Sequence, residues 1–348
     1  MSDSLEPPPL KNGMKVLASH NVKLVGIAYS KAEREYFPTE EAYIAEQEVL
    51  DRAKVLQKIL KSMGFEAKLY PGDESLMSKI QEDEPDLVIN LVDTVRGAEV
   101  LSTCIPAVLD LAQVPYTGSG MYSSTLANNK VLIKELLIAH DIPTPKYQLV
   151  RHPNEPISKR LKYPLITKLN NYHGGVGITN DAISENEKHL RKRLRYLIKT
   201  YKCPVVVEEF IQGKELSSIV LEGRKDTVYI GEKVFKPTKK RKYDFCSFNA
   251  TWLEEDAYHY IKYRNNGRVA RLAKKAFDLL GMADYAKFDI RVDDKKRIFF
   301  IDCNPNPALG PKSSYCAIGW ITTLYSIPFK KVFSKIMASA LSTSNKYA

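Results

Sequence analysis

The chain has 348 residues, a mass of 39.5 kDa and a formal net charge of +11. Its 44% hydrophobic and 27% charged content is ordinary for a soluble globular protein, and its length allows a core in two or three lobes. No apolar run approaches the length needed to cross a bilayer, and five scattered cysteines without a CxxC argue against a disulfide scaffold or structural zinc, so a cytoplasmic setting is expected.

The first residues, MSDSLEPPPLKNG, read as a loose lead-in without an apolar signal core. MKVLAS and KLVGIAYS then read as short buried strands. Apolar residues at helical spacing from Val49 to Met63 predict one amphipathic helix over about 40–63, stopped by Gly64. EAKLY and DLVINLV resume strand character, and this alternation predicts a parallel α/β lobe over the first 120 residues or so. PYTGSG is a loop by composition, and 123–140 reads as a helix closed by DIPTPKY. PLITKL, VVVEEFI, LSSIVLE and TVYIGEKVF follow as strands, then a helix near 266–281 and the strand pair AKFDIRV and RIFFIDC around a DDKK turn. A last helix is expected over about 321–341.

The charge excess leaves nucleic acid, an anionic membrane surface and small anionic substrates open as partners. Much of it lies in LRKRLRYLIK (190–199), whose leucines follow helical spacing and leave the basic residues on a solvated face. The rest centres on KPTKKRKYDF (236–245), a loop by composition. No base-stacking or groove-reading motif accompanies either, so neither nucleic acid nor membrane is expected as a partner.

Four segments carry chemistry. With DDKK as the turn, Asp289 falls opposite Asp302, and strand alternation turns Asp302 and Asn304 to one face and Cys303 to the other. Three hard oxygen donors then converge, a set that suits magnesium, with manganese as a substitute; the alternative is a strand end where both acids reach solvent. Lys168 ends an apolar strand before Gly174, Gly175 and Gly177, a spacing that lets backbone N–H groups approach phosphate, although such clusters are more often plain turns. Lys130 and Lys134 stand one helical turn apart. In VEEFIQGKE, apolar side chains beside Glu208, Glu209 and Glu215 could hold a planar base and a ribose, or simply lead a strand into an exposed turn.

Taken in this order, the four segments resemble the layout of ATP-grasp enzymes, and the nearest likeness is to D-alanine–D-alanine ligases. VPYTGSGMYSSTLANNKVLIKELL is similar to the end of that family's first lobe, AEREY (32–36) resembles its opening signature, and the likeness runs over about 23–335. The resemblance implies a mixed α/β (α+β) ATP-grasp fold. It would comprise a lead-in and first strand (1–20), an N-terminal α/β domain (21–122), a central subdomain with the glycine loop (123–205) and a C-terminal subdomain with lid and metal site (206–348).

Carried over by position, the resemblance implies that Lys130, Lys168 and the glycine loop of Gly174, Gly175 and Gly177 hold ATP phosphates. Glu208, Ile211 and Glu215 would line the adenosine pocket, and Asp289, Asp302 and Asn304 would hold two magnesium ions. The substrate positions depart from the family. Lys287 stands at an arginine, Gly174 at a serine, Asp93 at a histidine, and Thr251-Trp252 at the lid's Lys-Tyr pair. Glu33 and Ser313 remain as the matching substrate residues, and the basic 236–242 stretch falls at the start of the lid.

The expected reaction is ATP-dependent joining of a small, amino-acid-like carboxylate to an amine through an acyl phosphate, on substrates other than two D-alanines. A regulatory ATP-binding protein without turnover and a true D-alanine–D-alanine ligase are the alternatives. A homodimer is the assembly the resemblance implies.

Overall fold

A computed structural model describes residues 13–223, 227–237, 242–264 and 267–342. The lead-in, Lys239, Lys240 and Arg241 lie outside the described residues. In chain order, α1 (Gly13–Ser19), β1 (Leu24–Tyr29), α2 (Glu40–Gln47), α3 (Val49–Ser62), β2 (Glu66–Pro71), α4 (Leu76–Asp83), β3 (Leu87–Leu91) and α5 (Cys104–Leu111) form the first lobe. Its sheet is parallel with order β2-β1-β3, as the strand–helix alternation predicts. Thr39 starts α2 by accepting a hydrogen bond from the Ala42 N–H at 3.2 Å.

Helices α6 (Met121–Ala127) and α7 (Lys130–Ala139) lead to β4 (Tyr147–Val150), β5 (Leu165–Leu169), β6 (Ile183–Ser184), α8 (Glu187–Tyr201) and β7 (Val205–Glu209). These strands make an antiparallel sheet, β4-β7-β5-β6. In α8, Leu190, Leu194 and Leu197 are buried on one face, which leaves most of the basic residues outward. The remaining elements are β8 (Lys214–Leu221), β9 (Thr227–Phe235), α9 (Phe248–Trp252), β10 (Tyr258–Lys262), α10 (Gly267–Leu279), β11 (Tyr285–Val292), β12 (Ile298–Asn304), α11 (Ala317–Leu324) and α12 (Phe329–Ser342). Their strands form a second antiparallel sheet, β10-β9-β8-β11-β12.

Four expected elements differ. Residues 14–19 form a helix rather than a strand, because α1 packs on α12 with Gly13 seated against the Ser334 backbone, where a Cβ would come within 2.1 Å of the carbonyl oxygen. The expected 40–63 helix breaks at Glu48, so two helices can turn different faces inward. The expected 123–140 helix breaks at Asn128-Asn129, where the Asn129 side chain caps α7 through the Leu132 N–H at 3.1 Å. The last helix divides before Pro328, which has no N–H to continue a ladder. Its second half returns to the first sheet, so Phe333, Ile336 and Met337 share a core with Val25, Ile27 and Leu87.

Candidate active site

A cavity of about 620 Å³ is lined from all three sheets. One wall is the β11–β12 pair. Asp289 lies directly opposite Asp302, as the hairpin argument requires, and Cys303 points away into the core. The register slips between Asp289 and Ile290, leaving Ile301 as the bulged residue. That bulge presents the Ile301 carbonyl to Lys168 Nζ at 3.0 Å.

The acids on this wall are held ionised. Asp289 accepts from Ser217 Oγ at 2.6 Å and from Lys287 Nζ at 2.6 Å, with Lys233 Nζ 3.6 Å away. Burial pushes its carboxyl up, but Lys233 and Lys287 outweigh that and hold it well below the usual carboxylate range. Asp302 sits 3.9 Å from Lys130 Nζ and is also depressed, Lys130 and His173 outweighing burial. Asn304 Oδ1 accepts from the Asn306 N–H at 3.0 Å. Two ionised carboxylates and an amide oxygen suit a hard divalent cation. No three His, Cys, Asp or Glu side chains form a metal cage among the described residues. Magnesium does not need one, because phosphate oxygens and water usually complete its octahedron.

Lys168 is buried near the end of β5 because Glu208, fully buried on β7, meets it at 3.1 Å. The other Glu208 oxygen lies 3.2 Å from Lys134 Nζ. Burial raises the Glu208 pKa, but the two lysines outweigh it and keep the group ionised. Lys130 donates to the Tyr172 carbonyl at the base of the glycine loop. Gly174 and Gly175 line the cavity with φ of +63° and +73°. Gly177 is turned away: it packs on Leu169 and Leu197, and its N–H donates to Glu41 at 3.2 Å.

Glu208, Ile211 and Glu215 all line the cavity. Glu215 is more tightly held than its sequence setting suggests, by Lys233 at 2.8 Å, Arg291 at 3.2 Å and the Cys246 N–H at 3.2 Å. The Arg291 guanidinium lies 4.7 Å from the Phe210 ring centroid. Over the glycine loop, Trp252 Nε1 donates to the Gly174 carbonyl at 2.7 Å, so a residue expected in the lid touches the loop directly.

Of the three expected substrate residues, Lys287 lines the cavity beside Asp289. Ser313 is exposed and outside the lining, where its neighbour Ser314 stands instead. Glu33 pairs with Lys31 at 2.6 Å, also outside the lining. The cavity instead includes Glu46, Glu48, Arg52, Glu99 and His173, residues that sequence reasoning passed over. Arg52 reads as one more polar residue on an amphipathic helix, yet its side chain is 5% exposed. Its neighbours are Glu48 at 3.4 Å and Asp93 at 3.5 Å. The Glu99 carboxylate accepts from the His173 N–H at 2.7 Å. A buried arginine between acids has no local spacing signal.

The family profile described as "D-ala D-ala ligase C-terminus" matches residues 136–335. The Synechococcus (strain JA-3-3Ab) D-alanine–D-alanine ligase is 26% identical over 299 residues, 80% of this chain and 87% of that one. The Sinorhizobium fredii protein y4sG is 24% identical over 269 residues, 74% of this chain and 78% of that one. A crystal structure of the Bacillus anthracis D-alanine–D-alanine ligase complexed with ATP superposes with a TM-score of 0.70 at 17% identity, covering 94% of this chain and all of that one. The chain therefore belongs to the D-Ala-D-Ala ligase family and is an ATP-dependent ligase built on the ATP-grasp fold.

Proposed function

We propose that the protein joins a small carboxylate to an amine at the expense of ATP, on amino-acid-like substrates other than two D-alanines. The observation that carries this reading is the facing of Asp289, Asp302 and Asn304 by Lys130, Lys168 and Lys287 in one cavity. Magnesium held by the two aspartates and the asparagine would neutralise phosphate charge and polarise the transferring group.

The remaining work falls to side chains of this chain. Lys130 and Lys168 bind the polyphosphate and fix its orientation. A carboxylate oxygen of the donor attacks the γ-phosphorus and the bond to ADP breaks, giving an acyl phosphate. Lys287, beside Asp289, offsets charge on the transferring group with a single ammonium, without the paired donors of an arginine. The acceptor nitrogen then attacks the acyl carbon, phosphate leaves, and the amine proton passes to a nearby base. Trp252, closing on Gly174, shields the acyl phosphate from water.

The substrate reading is supported by the residues standing at the family's substrate positions. Gly174, Trp252 and Asp93, just beyond β3, line the cavity in place of the serine, lid tyrosine and histidine that position D-alanine in the family the chain resembles. ADP release measured with magnesium-ATP against a panel of amino acids and carboxylic acids, with products weighed by mass spectrometry, tests it. A condensed product from a pair other than D-alanine is expected. D-alanyl-D-alanine as the sole product refutes the substrate reading, and ATP binding without turnover on any pair favours a regulatory role. Asp302→Ala should abolish ADP release, and retained turnover would remove Asp302 from the metal site.

A further inference from the structure

The cavity is electrically two-ended. Beyond the lysines, Glu46, Glu48, Asp93 and Glu99 line its far end, and Arg52 is the cation set among them. Four carboxyl groups thus face one guanidinium, in a chain whose net charge is +11. Burial pushes the Asp93 carboxyl up to about 6 and that of Glu99 up to about 8. Burial and then the Asp93 charge raise Glu46 as well. Crowded carboxylates of this kind gain from an added cation.

Two independent observations point to a ligand. Glu99 Oε2, on a side chain only 9% exposed, has no hydrogen-bond partner. The nearest His173 ring nitrogen stands 3.6 Å away, beyond hydrogen-bond reach. Second, Tyr258, Tyr260 and Trp320 line the same cavity with ring centroids 5.5–6.2 Å apart. Aromatic faces attract ammonium and guanidinium groups: the Lys312 ammonium stands 5.5 Å over Trp320 and that of Lys233 5.7 Å over Tyr258, so the rings bridge the lysine end and the acid end.

We propose that this end is a subsite for an acceptor carrying a second cationic group, an ammonium or guanidinium, besides the amine that is ligated. The proposal rests on the ligase reading for the word acceptor; the cation subsite itself does not. Glu99 accepts from the His173 backbone N–H, next in the chain to the Tyr172 carbonyl that Lys130 holds, so it stands on the Lys130 side of the acid group. The reacting amine would stand there, and the second cation would reach Glu48 and the aromatic rings.

Isothermal titration calorimetry on the full chain with magnesium and a non-hydrolysable ATP analogue tests it. The probes are lysine and arginine, each in both enantiomers, against their neutral counterparts norleucine and citrulline. At least one cationic member should bind about tenfold or more tightly than its neutral counterpart. Glu48→Gln and, separately, Glu99→Gln should each shrink that ratio, which is internal to each variant and insensitive to partial loss of folded protein. Equal binding of the neutral members, no binding of any cationic one, or an unchanged ratio in both variants overturns the proposal. ADP release separates the two readings. Cation preference without ADP release sinks the ligase reading alone, whereas ADP release confined to neutral amines sinks the subsite alone.

Discussion

Replacing Glu208 by Gln removes the anion between Lys134 and Lys168 while keeping its shape. The three side chains are 1%, 4% and 7% exposed, at 3.2 and 3.1 Å. At an effective dielectric constant of about 20, each contact carries about 5 kcal/mol of gross attraction. Desolvation and lysine–lysine repulsion reduce the net, and removing one partner of a buried pair typically costs about 3–5 kcal/mol. The stranded lysine can also shed its proton, which for an ordinary lysine at pH 7 costs about 4.6 kcal/mol and so caps the loss. Lys134 is primed for this, since burial already lowers its pKa against the pull of Glu208.

The sign of the pH dependence follows. In the variant the folded chain binds fewer protons than the unfolded chain between the depressed lysine pKa and about 10.4. Stability therefore rises with pH across that window. Urea unfolding of the two proteins side by side should give a deficit of about 3–5 kcal/mol at pH 7, shrinking to about 1–2 kcal/mol at pH 9.5. A deficit under about 1 kcal/mol at pH 7, or one that is flat to pH 9.5, refutes the counter-ion role of Glu208.

Three further outcomes are expected. Trp252→Phe deletes the 2.7 Å bond to the Gly174 carbonyl, so ATP hydrolysis uncoupled from product should rise about fivefold, matching a loss of about 1 kcal/mol; tight coupling in the variant would show that this bond does not hold the lid. Gly177→Ala puts a Cβ 3.2 Å from Leu197 at a φ of +73°, which should lower stability by about 1–2 kcal/mol with the KM for ATP unchanged. A raised KM would return its N–H to the phosphate site. Arg291→Lys gives up the fork that reaches Glu215, the Gly213 carbonyl at 3.0 Å and the Asp244 carbonyl at 2.8 Å. ATP should bind several-fold more weakly, by about 1–2 kcal/mol, and calorimetry with an ATP analogue would expose the contrary.

The facing of Asp289 and Asp302 was legible because its geometry is local. A two-residue period and a short turn suffice to bring Asp289 opposite Asp302. The parallel first sheet was legible for the same reason, from alternating apolar runs. The far end of the cavity was not, because Glu46, Arg52, Asp93 and Glu99 come from two distant stretches, 46–52 and 93–99, that meet only through packing. Arg52 on α3 satisfies the amphipathic pattern whether it faces water or a cavity. MKVLAS shows the converse limit: four apolar residues in six fit a strand or a helix, and only contact with α12 decides between them. Glu33 and Ser313 show a third, in which a matched motif residue stands outside the wall it was expected to form.

The chain contains two tryptophans, and both stand on the cavity wall. Trp252 is tied to the glycine loop, and Trp320 lies among Tyr258, Tyr260 and Tyr315. Intrinsic emission excited at the red edge of the protein band thus comes wholly from the working site, with no background from the rest of the fold. Lid movement and filling of the far end would reach the detector as separate signals, and a single Trp-to-Phe exchange at either position would assign them. A stopped-flow trace on unlabelled protein could time closure, occupancy and product release within one turnover.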